Sequence, residues 1–351
     1  MVRLADIARE AGVSIGLVSR ILNADPALRA TEETRQRVQK VADTLGYQPH
    51  YAARALRLAR TNTIALALPV LTNPIFGRML RGVEDEALRL GYTLLLARSE
   101  SLGERRELST LVVEGRVDGF LLQGRDDETD VDLAARVGRA PVVLINSRLP
   151  QRPGSVMIDD RLAAELATEH LLANGHRRLA MVNGLPASET ARRRQVGFAT
   201  TAERAGLDPS RLPVSHEGYD PGSAHAAVTQ LFARRSERTR PTGLVVANVN
   251  ASLAVLTELR ARGLRTPEDV SVVAIQDAWT ANHSWPPVST IRLPVYEQGR
   301  QSLTMLHDAL NGQPMSDVIV DVAPELVERA SVGPAPAVPG GRRIDSVRAG
   351  R

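Results

Sequence analysis

The sequence predicts two structures in one chain: an N-terminal all-α helix-turn-helix domain, and an α/β core with more parallel strands than one sheet comfortably holds. Apolar residues recur at helical spacing in the first 48 residues, and Val-, Ile- and Leu-rich runs alternate with helical periods from residue 63 onward. Residues 1–60 carry ten Lys and Arg against six Asp and Glu, whereas residues 61–330 carry 30 against 33. The positive excess of the helical part favours a nucleic-acid partner.

The first two helices are predicted within residues 3–23. Apolar residues recur at helical spacing as far as Ala11, and Gly12 then breaks the run. Ser14 is a good N-cap for a second helix, so the short turn between the two predicts a helix-turn-helix. The second helix has an apolar inward side and an outward side that suits a DNA major groove. The outward residues are Ile15, Gly16, Ser19 and Arg20.

Arg20 is the candidate for direct base readout. A bidentate arginine on guanine contributes about 1–3 kcal/mol of discrimination. Ile15 is expected to touch a thymine methyl group, and Gly16 allows close approach, because neither side chain can hydrogen-bond a base edge. The alternative is that these two helices are an ordinary amphipathic pair whose outer residues are only solvated.

A longer motif bears on that alternative. The pattern DIA-x-x-AGVS-x-x-x-VSR-x-LN begins at Asp6, and Thr-Arg, Gly-Tyr-x-Pro and Ala-Arg-x-Leu follow it at residues 34–35, 46–49 and 53–56. Together they resemble the lactose-repressor family of bacterial transcription factors, and the resemblance extends to about residue 330. It implies a homodimer on a pseudo-palindromic double-stranded DNA operator. The implied DNA-binding residues are Ser14, Ile15, Gly16, Ser19, Arg20, Asn23, Ala53 and Leu56.

A third helix and a linker follow. Thr31 is expected to cap the helix and Gly46 to end it, which gives a DNA-binding domain of residues 1–48. Residues 49–62 are compatible with only a short helix, and short isolated helices are marginal in water. A flexible linker is therefore one reading. The resemblance implies instead a hinge helix that orders on DNA, with Leu56 as an apolar wedge in the minor groove, supported by Ala53.

The core is predicted over residues 63–330. Its strand-like runs lack polar alternation, which is typical of parallel strands buried on both faces. The resemblance implies two subdomains like those of periplasmic sugar-binding proteins, with chain crossings near residues 159, 289 and 318. The expected subdomains are residues 63–159 with 290–317, and residues 160–288 with 318–330. The tail, residues 331–351, is rich in Pro, Gly and Arg and is expected to be disordered.

A ligand is expected between the subdomains, at the carboxyl ends of the strands. The segment TARRRQVGF matches the family motif T-A-R-x-R-x-x-G-F, which favours Arg192 as the ligand-binding cation, with Arg194 nearby. The segments LTNPIF, VANVN and AIQDAW match other cleft motifs. The candidate effector-binding residues are Leu71, Asn73, Ile75, Phe76, Asn146, Arg192, Tyr219, Asn248, Gln276 and Asp277.

Some positions that are often acidic in the family are neutral here. They are Val70, Asn146, Val249 and Gln276. Carboxylates at such places hold sugar hydroxyls through charge-assisted hydrogen bonds. The effector is therefore expected to be a sugar or a sugar-derived or anionic metabolite, with the anionic or less hydroxylated kind favoured.

Composition limits the remaining classes. The chain has no cysteine, which excludes disulfides and thiolate sites. No apolar run suits a membrane span, and the N-terminal residues lack a secretory signal, so a cytoplasmic bacterial protein, nucleoid-associated when bound to DNA, is expected. The sequence shows no catalytic motif, so we expect neither an enzyme nor a metal or cofactor. Two rivals remain: a solute-binding protein for transport, and a DNA-binding protein whose cleft binds nothing.

Overall fold

The computed structural model describes residues 2–22, 28–47, 60–69, 71–99, 108–217, 219–233 and 236–337. The chain divides into two compact units, residues 1–61 and 62–351. The expected hinge contacts of Ala53 and Leu56 lie outside the described residues, as do Asn23 and Val70.

The first unit is the predicted helix-turn-helix with its third helix: α1 (Leu4–Ala11), α2 (Ile15–Leu22) and α3 (Glu32–Thr44). Gly12 ends α1 in the left-handed conformation, with φ 66°. The Ser14 hydroxyl oxygen accepts a hydrogen bond from the backbone N–H of Leu17 at 3.2 Å, and this caps α2. The three helices enclose a small apolar core. Its buried residues are Ile7, Ala8, Ala11, Val18, Ile21, Leu28, Val38 and Ala42.

The second unit contains two six-stranded sheets. The first runs in the order β11-β5-β4-β3-β1-β2 and is parallel throughout. Its strands are β1 (Thr63–Leu68), β2 (Thr93–Arg98), β3 (Gly119–Gln123), β4 (Val142–Ile145), β5 (Ser155–Met157) and β11 (Val318–Ile319). The strands β1, β3 and β4 are buried, as expected. The edge strand β2 differs, because Leu95 and Leu96 are about half exposed.

The second sheet runs in the order β12-β10-β9-β8-β6-β7, with only β12 antiparallel to its neighbour. Its strands are β6 (Leu179–Val182), β7 (Val214–Ser215), β8 (Gly243–Val246), β9 (Ser271–Ile275), β10 (Ser289–Arg292) and β12 (Glu325–Val327). The two parallel-sheet subdomains of the prediction are confirmed. Each sheet with its helices is called a lobe below, the first and the second in chain order.

Helices connect the strands within each lobe. The first lobe has α4 (Ile75–Leu90), α5 (Leu108–Val113), α6 (Asp130–Val137) and α12 (Val295–Leu310). The second lobe has α7 (Asp160–Ala173), α8 (Glu189–Arg204), α9 (Ala224–Phe232), α10 (Val249–Ala261) and α11 (Trp279–Asn282). The sequence did not indicate α6, α11, or the short strands β7, β10, β11 and β12. The four strands and α11 have two to four residues each, too few for a clear period.

The crossing points between the lobes differ slightly from expectation. The first crossing follows β5 near residue 159, as predicted. The strand β10 belongs to the second sheet, so the next crossing lies after Arg292 rather than near residue 289. The strand β11 belongs to the first sheet, so the last crossing lies after Ile319, next to the expected position near residue 318. The second crossing is displaced because the sequence did not indicate the short strand β10, which the chain forms before it leaves the second lobe.

The expectation of a disordered tail from residue 331 is wrong for residues 331–337, which pack on the second lobe. Ser331 is fully buried, and its hydroxyl donates to the carbonyl oxygen of Val272 at 2.6 Å. The backbone N–H of Gly333 donates to the Ser271 hydroxyl at 3.1 Å. A Pro- and Gly-rich segment can satisfy its backbone against an open sheet, which composition alone does not reveal. Residues 338–351 lie outside the described part of the chain.

Two glycines set the approach of α4 to α12 in the first lobe. A Cβ atom added at Gly82 would lie 2.1 Å from the carbonyl oxygen of Tyr296, and one at Gly299 would lie 2.4 Å from that of Met79. The same helix pair buries Glu86, which accepts a hydrogen bond from the Thr304 hydroxyl at 2.8 Å. The hydrogen bond from Arg89 lowers the pKa of Glu86 to about 2.

No helix in the described ranges is both long enough and apolar enough to cross a lipid bilayer.

Candidate functional site: a cleft between two lobes and a DNA-facing helix

A cavity lies where the carboxyl ends of the strands of both sheets meet. Seven of the ten residues expected to bind an effector line it. The first lobe contributes Asn73, Ile75, Phe76 and Asn146, and the second lobe contributes Tyr219, Asn248 and Gln276. Parallel strands present their carboxyl ends at one edge, so residues far apart in sequence converge there.

Arg194 is the cation of this cavity. It lies on α8, its side chain is only 3% exposed, and Asp160 at the start of α7 faces it. Arg194 Nε and Nη2 donate to Asp160 Oδ1 at 2.9 and 2.7 Å, and Nη1 donates to the carbonyl oxygen of Ala247 at 2.5 Å. Arg193 adds a second contact to Asp160, with Nη2 at 2.7 Å from Oδ2. The Arg194 guanidinium is therefore held rigidly at the cavity wall.

The geometry separates Arg192, the expected cleft cation, from Arg194. Arg192 is exposed and does not line the cavity that holds Arg194. It lines an adjoining pocket between the lobes, which shares Gln123, Asp126, Asn146 and Thr190 with that cavity. Its guanidinium pairs with Glu189 at 2.5 Å and donates to the carbonyl oxygen of Ala187 at 2.6 Å. Consecutive helical residues are rotated by about 100°, so residues 192 and 194 point in nearly opposite directions.

Tyr219 packs between Gly184 and the arginine. A Cβ atom at Gly184 would lie 2.3 Å from the ring carbon Cζ of Tyr219, so only glycine leaves room for the ring. The Arg194 guanidinium carbon lies 5.9 Å from the ring centroid, which is within cation–π range. Burial raises the pKa of Tyr219 to about 12, so its hydroxyl remains a hydrogen-bond donor.

Two cavity residues at strand ends have strained backbones. Asn146 follows β4 with φ 54°, and Gln276 follows β9 with φ 80°. Residues other than glycine rarely adopt such angles, and they do so most often at ligand sites and switch regions. The turn directs both amide side chains into the cleft, where Gln276 Oε1 accepts a hydrogen bond from Asn73 Nδ2 of the opposite lobe at 3.3 Å.

Asn248 lines the cavity, and its side-chain amide makes two hydrogen bonds within the protein. Its Oδ1 accepts from the backbone N–H of Ala251 at 2.7 Å and thereby caps α10. Its Nδ2 donates to the carbonyl oxygen of Tyr219 at 2.9 Å, which fixes the loop that carries the tyrosine.

Two other expected cleft residues lie elsewhere. Leu71 is 42% exposed and is not part of the cavity wall. Asp277 lies outside the cavity and ties strands together, since it accepts from the Thr290 hydroxyl and from Arg329 Nη2, each at 2.7 Å. Although burial alone would raise the pKa of Asp277, the hydrogen bonds from Thr290 and Arg329 lower it. The adjacent Gln276 takes the cleft position because successive residues at a strand end alternate in direction.

The structure adds cavity residues that the motifs did not indicate. They are Gln123, Asp126, Asp160 and Thr190, together with the apolar Pro69, Met79, Ile158, Leu293 and Val295. Asp126 follows β3, and burial raises the pKa of its carboxyl to about 6. The sequence signal for these two residues was their position at a strand end. Gln123 ends the apolar run GFLLQ, and Asp126 follows shortly after it. Among the described residues, no group of three or more His, Asp and Glu side chains is arranged to hold a metal ion.

In the first unit, α2 presents an exposed face. Ser14, Ile15, Gly16 and Arg20 are exposed and Ser19 is partly buried, whereas Val18 and Ile21 lie in the core. Some of the positive charge serves the fold: Arg35 Nη2 donates to the carbonyl oxygen of Leu28 at 2.8 Å and Arg37 Nε to that of Ala11 at 3.2 Å. Arg35 and Arg37 therefore hold the three helices together.

A helix-turn-helix unit followed by a two-lobed core with a cleft defines a ligand-responsive DNA-binding regulator. Two family models match the chain: bacterial regulatory proteins of the lacI family over residues 3–50, and a periplasmic binding protein-like domain over residues 168–332. The chain therefore belongs to the LacI family of transcriptional regulators. Proteins of this family are regulators rather than enzymes, bind operator DNA and small-molecule effectors, and act as dimers.

Individual relatives agree with this assignment over nearly the whole chain. The HTH-type transcriptional repressor PurR of Photobacterium profundum is 30% identical over 336 residues, which is 95% of this chain and 99% of that protein. The ribose operon repressor of Escherichia coli is 30% identical over 337 residues, 94% of this chain and 100% of that protein. A crystal structure of a LacI family regulator from Mycobacterium smegmatis is 36% identical, with a TM-score of 0.72, and covers 78% of this chain and 100% of that one.

Proposed function

We propose that this protein is a dimeric repressor whose operator affinity is set by a small molecule held between Arg194, Tyr219 and the strand-end amides Asn73, Asn146 and Gln276. The observation that carries the proposal is the buried Arg194, clamped by Asp160 beneath an aromatic ring in a cavity that both lobes line. A buried arginine with spare donors at a cavity wall suits ligand recognition better than a packing role alone.

The control of DNA binding follows from the two-lobe arrangement. A ligand that contacts both lobes stabilises one relative orientation of them, and only a difference in affinity between orientations can shift the equilibrium. Coupling of about 1–3 kcal/mol is typical, and operator binding must alter effector affinity by the same factor. The Asn73–Gln276 hydrogen bond already joins the lobes across the cleft, and a bound molecule would compete with it or reinforce it.

The effector can be sought by operator binding in the presence of cell metabolites. Fluorescence anisotropy with fragments from the protein's own promoter region would be measured with and without a low-molecular-weight metabolite fraction. The fraction is expected to change operator affinity by about 5- to 150-fold for typical allosteric coupling. The Arg194→Leu variant should bind operator and lose this response.

The matched control is Arg204→Leu, which removes an exposed arginine at the C-terminal end of α8, outside both pockets of the cleft, and should keep the response. A metabolite fraction that leaves operator affinity of the native protein unchanged would favour the rival reading, a DNA-binding protein with an unused cleft. An equal loss of response in both variants would show that the cavity arginine has no special role.

The operator is expected to be read by Ser14, Ile15, Gly16, Ser19 and Arg20 of α2, one helix in each half of a pseudo-palindromic site. We extend the same role to Asn23 and, for the hinge, to Ala53 and Leu56, which lie outside the described residues. The protein is expected to act in the bacterial cytoplasm, on the nucleoid when DNA-bound.

Arg20→Ala is expected to relax base preference at one position in each half-site, by about 1–3 kcal/mol of lost discrimination. Arginine can donate two hydrogen bonds to one guanine, whereas alanine can read no base edge. The measurement is a competition assay with operators that carry single base changes. A uniform loss of affinity across all sequences would instead identify Arg20 as a phosphate contact.

A further inference from the structure

The hydrogen-bond polarity of the cavity is fixed by two chains of amides that end on backbone groups. An amide side chain can present either its oxygen or its nitrogen to a ligand, and its other partners decide which. In both chains the outer partner is a backbone group whose role as donor or acceptor has no alternative.

The first chain runs through Gln298 on α12. The carbonyl oxygen of Val156 can only accept, so the group that faces it at 3.0 Å is Gln298 Nε2. The same nitrogen donates to Asn146 Oδ1 at 2.7 Å. Asn146 therefore has its oxygen engaged, and no described residue accepts from its Nδ2. At this strand end the cavity wall offers donors.

The second chain crosses the cleft. The backbone N–H of Ile75 can only donate, and it donates to Asn73 Oδ1 at 3.2 Å. Asn73 Nδ2 then donates to Gln276 Oε1 at 3.3 Å. Gln276 is left with its Nε2, for which the described residues include no acceptor. The opposite wall of the cavity thus also offers donors, whereas Gln123 Oε1 is a buried acceptor without a partner among the described residues.

Arg194 adds to the same polarity. Three of its N–H groups are engaged by Asp160 and Ala247, and no described residue accepts from the remaining two of the five that a guanidinium carries. Asp160 is neutralised by Arg193 as well as by Arg194. Asn248 does not set this polarity, because its Oδ1 and Nδ2 each already have one partner in the protein.

Asp126 is the carboxyl that opposes this pattern. Burial makes it hold a proton more readily than an exposed aspartate, since its pKa is raised to about 6, while Ser188 and Arg194 favour the charged form. When protonated, the Asp126 carboxyl becomes a donor too. The remaining charged groups are then Arg194 and Asp160 in the cavity wall and Arg193 behind Asp160, which sum to one positive charge.

From these contacts we infer that the effector is a small organic anion whose carboxylate or phosphate oxygens accept hydrogen bonds from Arg194, Asn146 and Gln276. This inference rests on the proposed function of the same cleft and specifies its ligand class. Gln298 acts as a positioning residue, because it turns the Asn146 amide so that its nitrogen faces the ligand.

The test uses matched pairs of ligands that differ in charge. Binding of D-glucuronate and D-glucose, and of D-ribose 5-phosphate and D-ribose, would be measured on the full-length protein by calorimetry. The anionic member of at least one pair is expected to bind at least about tenfold more tightly, and the pair that responds tells carboxylate from phosphate. Equal or tighter binding of both neutral sugars overturns the inference.

Three variants test the stated polarity. Gln298→Leu frees Asn146 Oδ1 and should lower the anion-to-neutral affinity ratio several-fold, whereas a merely structural role would weaken both ligands equally. Asn146→Asp should abolish the preference for the anion, and Asp126→Asn should increase it. The control, Gln301→Leu on the same helix, lies outside the cavity wall and should leave the ratio unchanged.

The outcomes also separate this inference from the proposed function. If none of the four probes binds but the metabolite fraction still changes operator affinity, the anion inference is overturned and the regulatory cleft stands. If none of the probes binds and the metabolite fraction leaves operator affinity unchanged, both the anion inference and the proposed function of the cleft are overturned. An unchanged affinity ratio in Gln298→Leu overturns the positioning role.

Discussion

Asp160→Asn is expected to lower the free energy of unfolding of the core by about 3–5 kcal/mol, because it leaves two arginines at a buried site without their counter-charge. Asp160 is 2% exposed, and Arg193 and Arg194 both contact it at 2.7 Å. The change keeps the shape of the side chain, so packing contributes little to the effect. Guanidinium denaturation followed by far-ultraviolet circular dichroism measures it.

The control for Asp160→Asn is a carboxylate in an exposed ion pair. Glu325 is 67% exposed and lies 3.5 Å from Arg292, so Glu325→Gln should leave the denaturation midpoint unchanged. A midpoint for Asp160→Asn that matches the control would mean that water reaches the Arg194 guanidinium, and the rigid clamp at the cavity wall would then be wrong.

Gly82→Ala is expected to destabilise the core by about 1–3 kcal/mol through overpacking. The new Cβ atom would lie 2.1 Å from the carbonyl oxygen of Tyr296, a backbone atom that cannot rotate away. Relief requires α4 to move from α12, which disturbs the buried Glu86 between them. The same denaturation experiment gives the magnitude.

Gly77 provides the matched substitution on the same helix. Nothing lies within 4 Å of a Cβ atom at Gly77, so Gly77→Ala should stabilise the protein by about 0.5–1 kcal/mol through helix propensity. Opposite signs at the two glycines identify close helix packing as the cause. A stabilising effect at both would contradict the close approach of the two helices.

The main architecture was predictable because its signals are local. Ser14 as an N-cap, Gly12 as a breaker and the apolar spacing around them predict the helix-turn-helix. The uniform burial of β1, β3, β4, β6, β8 and β9 produces the unbroken apolar runs that predict parallel sheets. The strand β10 was missed because Ser289–Arg292 is a run of only four residues with one apolar side chain, Ile291.

The burial of Arg194 at the cavity wall could have been predicted from the sequence. Ala191, Phe198 and Ala202 are the buried apolar residues of α8, and Arg194 lies on the same stripe at helical spacing. Arg192 falls off that stripe. A motif match with two arginines does not choose between them, whereas the phase of the apolar residues does.

The polarity of the cleft could not be predicted from sequence. Whether Asn146 presents its oxygen or its nitrogen depends on Gln298, which lies 152 residues away along the chain. Asp277 and Gln276 are neighbours, and only the strand end decides that the amide faces the cavity while the carboxylate faces Arg329. These side-chain orientations depend on tertiary contacts, because the hydrogen-bond partners come together only when both lobes have folded.

The order of elements along the chain has a consequence for synthesis. The three-helix unit ends by residue 61, whereas each sheet receives an edge strand only from the last crossings, β11 at Val318–Ile319 and β12 at Glu325–Val327. During synthesis the helix-turn-helix unit is thus complete early, whereas both lobes of the core are completed almost together, near the end of the chain. Nascent or truncated polypeptides that stop before residue 318 therefore contain the helix-turn-helix unit, but they lack the edge strands that complete the two lobes of the effector-binding core.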